Sequence, residues 1–194
     1  MSHRTGHTSL SLDYGPMIYT VGHSTRPLVE FIALLREHGV TLLVDVRTVP
    51  RSRHNPQYNQ ETFPLFLEAA DIKYLHLTGL GGLRHPRPDS LNLGWQNASF
   101  RGFADYMQSE EFAGNIETLL EKSERERIAV MCAEAVPWRC HRSLIADALL
   151  VRGAQVAHIM GKGVPKPHEL TRFARVSGTR VLYPAPEQAE EWGR

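Results

Sequence analysis

The sequence predicts a single Rossmann-like α/β domain of three layers, a mostly parallel sheet with helices on both faces. Three observations carry that reading. Short apolar, β-branched runs alternate with helical patterns along the chain, the runs are apolar at consecutive positions as doubly covered strands require, and the reactive polar residues cluster where the runs end. Right-handed crossovers follow from such an alternation, whereas strand order is not legible from it.

Ile18 to Gly22 is the first strand, followed by Leu28, Phe31, Ile32 and Leu35 at helical spacing. Ser24 or Thr25 is placed to cap that helix, Pro27 suits its first turn, and Gly39 stands just past its end. Thr41 to Arg47 is a second strand, a helix falls near Glu61 to Ala70, and Lys73 to Leu77 is a third strand. After a long Gly- and Pro-rich passage, Phe103 to Met107 and then Phe112, Ile116, Leu119 and Leu120 read as helix. Arg127 to Met131 is the fourth strand, Ser143 to Arg152 a helix and Gln155 to Met160 the fifth strand. A short helix around Glu169 to Ala174 precedes a last extended piece at Arg180 to Tyr183. Residues 1–16, rich in His, Ser, Thr and Gly without periodicity, read as a flexible leader; 184–194, with prolines and acids, read as a tail, leaving 17–183 as the domain.

A chain of 194 residues with 42% hydrophobic content is sufficient for one sizeable core, which excludes general disorder. The formal charge of +1 gives no polyanion bias to the chain as a whole, so any basic surface is local. No run approaches the roughly 18 apolar residues that span a bilayer, and no signal-peptide layout opens the chain, so a cytoplasmic location without membrane partners is expected. Two cysteines are too few for a secreted disulfide framework, and a reducing compartment keeps them as thiols.

Both cysteines lie in Cys132-Ala-Glu-Ala-Val-Pro-Trp-Arg-Cys-His-Arg142, between a strand and a helix. The other polar motifs also stand at strand ends: Gly22-His23-Ser24, Asp45-Val-Arg47, Thr78-Gly79 and Met160-Gly161. In a parallel sheet these ends share one edge, where an open α/β sheet binds its ligand. Thr20-Val-Gly-His-Ser24, Leu43-Val-Asp-Val-Arg47 with Pro50 and Ser52, Leu80-Gly-Gly82, and Met131-Cys-Ala-Glu134 leading to Cys140-His-Arg142 occur in that order. On these motifs the chain resembles the Domain of Unknown Function 488 family of prokaryotic proteins over about Ile18 to His168. The resemblance implies a compact α/β domain with His23, Ser24, Asp45, Arg47, Cys132, Glu134, Cys140, His141 and Arg142 as signature residues, and it implies no substrate.

The chemistry is therefore read from residue types. Cations at Arg139, Arg142 and His141, with a helix N-terminus nearby, favour Cys132 as a thiolate nucleophile. The layout is similar to the strand-loop-helix thiol sites of rhodaneses and cysteine phosphatases, although those loops are shorter than the six residues between Cys132 and Arg139. Against this stands Cys132 as a small buried packing residue, with Cys140 packing a helix start. Glu134 and Asp45 are candidate general bases, with His141 as a further catalytic group; alternatively Asp45 pairs with Arg47 or Arg142, and Glu134 caps the following turn.

His23, Ser24, Arg47, Ser52, Arg139 and Arg142 are the candidate anion binders, and basic runs at Arg51, Arg53, His54 and at Arg84, His85, Arg87 extend the bias. Gly79-Leu-Gly-Gly82 is a weak phosphate-cradle candidate, lacking the P-loop Lys-Ser/Thr. Tyr58, Trp95 and Phe100 are placed to stack a base, and His158 and His168 are candidates to join the site. No cofactor is required; zinc or iron on Cys132, Cys140 and His141, completed by His23 or Glu134, and a reversible disulfide between the cysteines are the lesser alternatives. The expected function is an enzyme acting on an anionic, phosphate-bearing or nucleotide-like substrate, with a hydrolase or transferase reaction at Cys132 or Glu134. The alternative is a regulatory module that binds a nucleotide, a nucleic acid or a metal without turnover.

Overall fold

In the computed structural model, which describes residues 15–187, five strands run parallel and a sixth closes one edge antiparallel. The strands are β1 (Met17–Gly22), β2 (Leu42–Asp45), β3 (Lys73–His76), β4 (Ile128–Cys132), β5 (Gln155–Ile159) and β6 (Lys166–Pro167), in the order β3-β2-β4-β1-β5-β6. The helices are α1 (Leu28–Glu37), α2 (Phe63–Glu68), α3 (Ala98–Tyr106), α4 (Glu110–Ser123) and α5 (Arg142–Leu150). A separate two-stranded ribbon joins β7 (Arg175–Ser177) and β8 (Arg180–Leu182). Most of the expected leader and tail falls outside the described residues.

Alternation along each strand builds two cores. Val21, Leu43, Ala129 and Met131 meet Phe31 and Leu35 of α1 and Phe63 and Leu67 of α2 on one face. Ile18, Val44, Val130 and Cys132 meet Phe103 of α3, Phe112 and Ile116 of α4, and Leu144 and Ile145 of α5 on the other. A period of two sends neighbouring residues of one strand to opposite faces, so both faces need apolar cover and the strands read as unbroken apolar runs.

The connections open a crevice at one edge. β1 leaves toward α1 on the first face, whereas its neighbour β4 leaves toward α5 on the second. Adjacent strands whose connections part to opposite faces open a crevice at their carboxyl ends. The β1–β4 ladder continues past the strands, with His23 N donating to Cys132 O at 3.0 Å and Ser24 N to Ala133 O at 2.9 Å.

Three expectations need correction. α1 begins at Leu28 after an extended Pro27 and has no side-chain cap, because Ser24 is bound to the β4 loop instead. No helix forms over 169–174: Asp147 Oδ1 accepts the Thr171 N–H at 3.0 Å, and a single turn closes from Ala174 N to Thr171 O. The glycines of Gly79-Leu-Gly-Gly82 are close-packing positions. A Cβ would strike the Asn115 side chain at Gly79, the Thr48 hydroxyl at Gly81 and the His141 ring at Gly82, so their open sides face protein.

Gly22 follows the same logic, since a Cβ there would collide with the Glu134 carbonyl. Gly22→Ala is expected to lower stability by about 1–3 kcal/mol, as overpacking against backbone does. Urea denaturation checks this, and an unchanged midpoint would contradict the close approach.

Candidate functional site

The crevice at the β1 and β4 ends has a volume of about 380 Å³ and is lined by His23, Ser24, Arg47, Arg51, Ser52, Asn55, Ala133 and Glu134, among others. Its basic wall is built from below. Asp45 is fully buried; it accepts from Arg47 Nε at 2.9 Å, from the Arg47 amide at 3.0 Å, from Arg47 Nη2 at 2.6 Å and from the Tyr74 hydroxyl at 2.8 Å. With its oxygens thus engaged, Asp45 serves to fix Arg47 and is not free to act as a base. Arg47 Nη2 also donates to Tyr58 O at 2.8 Å, which leaves Nη1 directed toward His23 Nε2 at 3.3 Å.

His23 is held in one tautomer. Its Nδ1–H donates to the Ser24 carbonyl at 2.7 Å, so Nε2 carries the lone pair that meets Arg47. Ser24 adopts φ 50, a left-handed conformation costly for a residue with a Cβ, and this turns its carbonyl back toward the ring. The imidazole stacks on Tyr58 with centroids 4.1 Å apart. Burial, reinforced by the neighbouring Arg47 guanidinium, pushes its pKa down to about 4, and the ring is neutral at physiological pH.

The second half of the constellation lies on the α5 face. Cys132 Sγ is 2.9 Å from Cys140 Sγ and accepts from Arg142 Nε at 2.9 Å and from Glu134 N at 3.3 Å. Arg142 has no exposed surface; its other N–H groups reach Thr20 Oγ1 at 3.2 Å and the Glu134 carbonyl. Its donors are therefore spent inside the protein, and the anionic group it faces is sulfur rather than a ligand in the crevice.

The thiols titrate together. The hydrogen bond from Cys132, aided by Arg142, holds the Cys140 thiol down at about 6, while burial and the bond to Cys140 push Cys132 up. Because Arg142 and the Glu134 amide both donate to Cys132, the negative charge belongs to the pair, two sulfurs sharing one proton.

The remaining sequence candidates divide between the two halves. Glu134 is exposed on the crevice wall, and its Oε1 accepts from Val136 N at 3.1 Å, so the carboxylate both faces the crevice and closes its own turn. Ser52 lines the crevice, with its hydroxyl accepting from Asn55 N at 3.1 Å. Arg139 is exposed in a 3₁₀ turn over Pro137–Arg139 and is not among the crevice residues. The His141 ring packs on Phe103 and Gly82 and contacts Cys140 Sγ at 3.4 Å, outside the crevice. Cys132, 3% exposed, lies behind the crevice wall. Among the described residues no group of three or more His, Cys, Asp or Glu side chains is arranged to hold a metal, so the Cys132, Cys140 and His141 ligand set does not assemble.

Tyr58 is buried under the loop beside His23, and Trp95 packs against Phe100 at 4.7 Å, so neither is free in the crevice. His158 and His168 belong to a separate chain of bonds. Thr20 Oγ1 meets His158 Nδ1 at 2.8 Å, His158 Nε2 meets His168 Nδ1 at 3.0 Å, and Asp147 takes His168 Nε2 and the Tyr183 hydroxyl, each at 2.8 Å. Sequence reasoning missed this network because Asp147 sits inside a helical pattern with no motif around it. It also missed Tyr74, whose only signal was a polar tip on an apolar strand.

His23 and His158, the latter pushed by burial to about 3, are neutral in the fold and charge at about 6.5 when unfolded. Their contribution to stability is therefore complete above about 6.5 and is lost as pH falls through about 4 and 3. Urea midpoints measured on acidification are expected to fall, and less steeply in His23→Asn and His158→Gln. Equal steepness in both variants would contradict the assignment.

Comparison with known proteins adds one finding. No curated protein and no solved structure matches the chain. Among the described residues no helix is long and apolar enough to cross a membrane. The model of the family described as Domain of unknown function DUF488 matches residues 27–149, more than half of the chain and including Asp45, Arg47, Cys132, Glu134 and Arg142. The chain belongs to the DUF488 family.

Proposed function

We propose that the protein is a cytoplasmic enzyme that acts on an anionic, phosphate-bearing or nucleotide-like substrate in the crevice. The observation that carries this reading is the basic wall: Arg47, pre-set by Asp45, and the exposed Arg51, held in a solvent-exposed ion pair with Glu61 that an anion can displace, border the same cavity as His23, Ser24 and Glu134. A guanidinium locked by a buried carboxylate meets an anion with little ordering cost, and hydroxyls of Ser24 and Ser52 add neutral donors. Glu134 is the reactive group that reaches the substrate, as general base in a hydrolase or transferase reaction. Cys132 reaches it only when the 133–136 loop opens, and until then its sulfur holds the loop through the Glu134 amide.

A second reading, binding without turnover, is favoured by that same burial of Cys132. The two readings separate experimentally. Inorganic phosphate and nucleoside monophosphates are expected to raise the melting temperature, with a shift that fades as salt is added and is lost in Arg51→Glu. Turnover of a panel of phosphate esters is expected to fall about a hundredfold or more in Glu134→Gln with the thermal shift retained. Binding with no turnover of any ester would favour the second reading, and the absence of any anion-dependent shift would contradict both.

A further inference from the structure

A second cavity of about 530 Å³ opens on the other side of the same loop. Trp95, Trp138 and Phe173 supply aromatic walls, Lys166 and Arg172 supply two positive charges against the single carboxylate Glu169, and His158 with His168 borders it. Trp138 is 58% exposed and Phe173 36%, so two large rings lining one cavity present area to solvent. Lys166 Nζ stands 5.4 Å from the centre of the Trp138 ring. Among the described residues neither Lys166 nor Arg172 forms a salt bridge, so both cations are available to a ligand.

The histidines there are spoken for. Each has both ring nitrogens engaged in the chain that runs from Thr20 to Asp147, so they form a fixed wall rather than an acid–base pair. What the cavity offers is flat apolar area beside positive charge, which is complementary to a planar ring attached to an anion.

The loop joins the two cavities. Ala135 borders the crevice and Trp138 borders the second cavity, three residues apart and hence within about 11 Å along the chain. Arg139, exposed and next in sequence, adds a cation on that stretch. Resting on the reading of the crevice as a phosphate site, we infer that the second cavity receives an unpaired base and that the ligand of the whole surface is a single-stranded nucleic acid. Its backbone follows Arg51, Arg47 and Arg139, and a base stacks on Trp138 with Lys166 and Arg172 at its neighbouring phosphate. A positive track interleaved with exposed aromatics is how single strands are held without sequence preference.

The test uses a fluorescein-labelled oligothymidylate of about ten nucleotides in anisotropy titrations of the full chain, with inorganic phosphate followed by thermal shift. The wild type is expected to bind the strand with an affinity that falls as salt rises. Trp138→Ala is expected to weaken that binding about tenfold or more, while Trp138→Phe largely retains it and the phosphate shift stays unchanged in both. Because Trp138 is mostly exposed, these variants keep the fold, and the retained phosphate shift reports it. Equal strand affinity in Trp138→Ala, or tighter binding of a duplex of the same length, would overturn the inference while leaving the crevice reading standing. A phosphate shift without strand binding would do the same, and the absence of both would overturn the crevice reading as well.

Discussion

A guanidinium buried beside a sulfur governs this structure. Arg142 is the bulkiest fully buried side chain among the described residues, and no carboxylate among them pairs with it. An arginine does not escape the cost of burial by losing its proton, so the charge must be met where it lies. Thr20 and the Glu134 carbonyl satisfy hydrogen bonds but carry no charge, which leaves the Cys132–Cys140 pair as the counter-ion. Through these contacts one side chain of α5 ties together β1, the end of β4 and the loop that walls the crevice.

The rest of the site follows from the period of a strand. The β1–β4 register pairs Gly22 with Cys132, and the β2–β4 register pairs Asp45 with Met131. Cys132 therefore points to the α5 face, whereas Asp45 is directed to the α1 and α2 face. The reactive residues converge on one edge of the sheet but separate into two half-sites: a basic crevice organised by Asp45, Arg47 and His23, and a buried thiol pair organised by Arg142. The 133–142 loop is the wall between them, and Gly22 exists to let that loop approach β1.

How much of this was legible depended on whether a pattern was local. Consecutive apolar residues in Thr41 to Val46 and Ile128 to Met131 announced doubly covered strands, and the edge on which His23, Asp45 and Cys132 gather followed from parallel topology. Strand order was not legible, because it is decided by which faces the crossovers take. The two-residue β6 and the three-residue β7 are too short to leave a periodic signal, whereas β8 falls within the extended piece expected at Arg180 to Tyr183. At the site, residue types identified the participants but not their partners. Arg142 reads as an anion binder in sequence, yet as the first residue of α5 it turns inward onto Cys132; Asp45 reads as a base, yet Arg47 two residues on consumes it. The glycines near Gly82 read as a phosphate loop until the His141 ring is seen to fill the space.

The most direct test of this account is the ultraviolet absorbance of thiolate as a function of pH in the native protein, with the same titration in Cys132→Ser and Cys140→Ser. Charge balance around Arg142 predicts one thiolate per chain, forming at about 6, well below the ordinary thiol value near 8.5, and still one thiolate in each single variant, because the remaining sulfur must then meet the guanidinium. If neither sulfur ionises below the ordinary thiol range, Arg142 has no counter-charge, and the account of the buried core of the site is wrong.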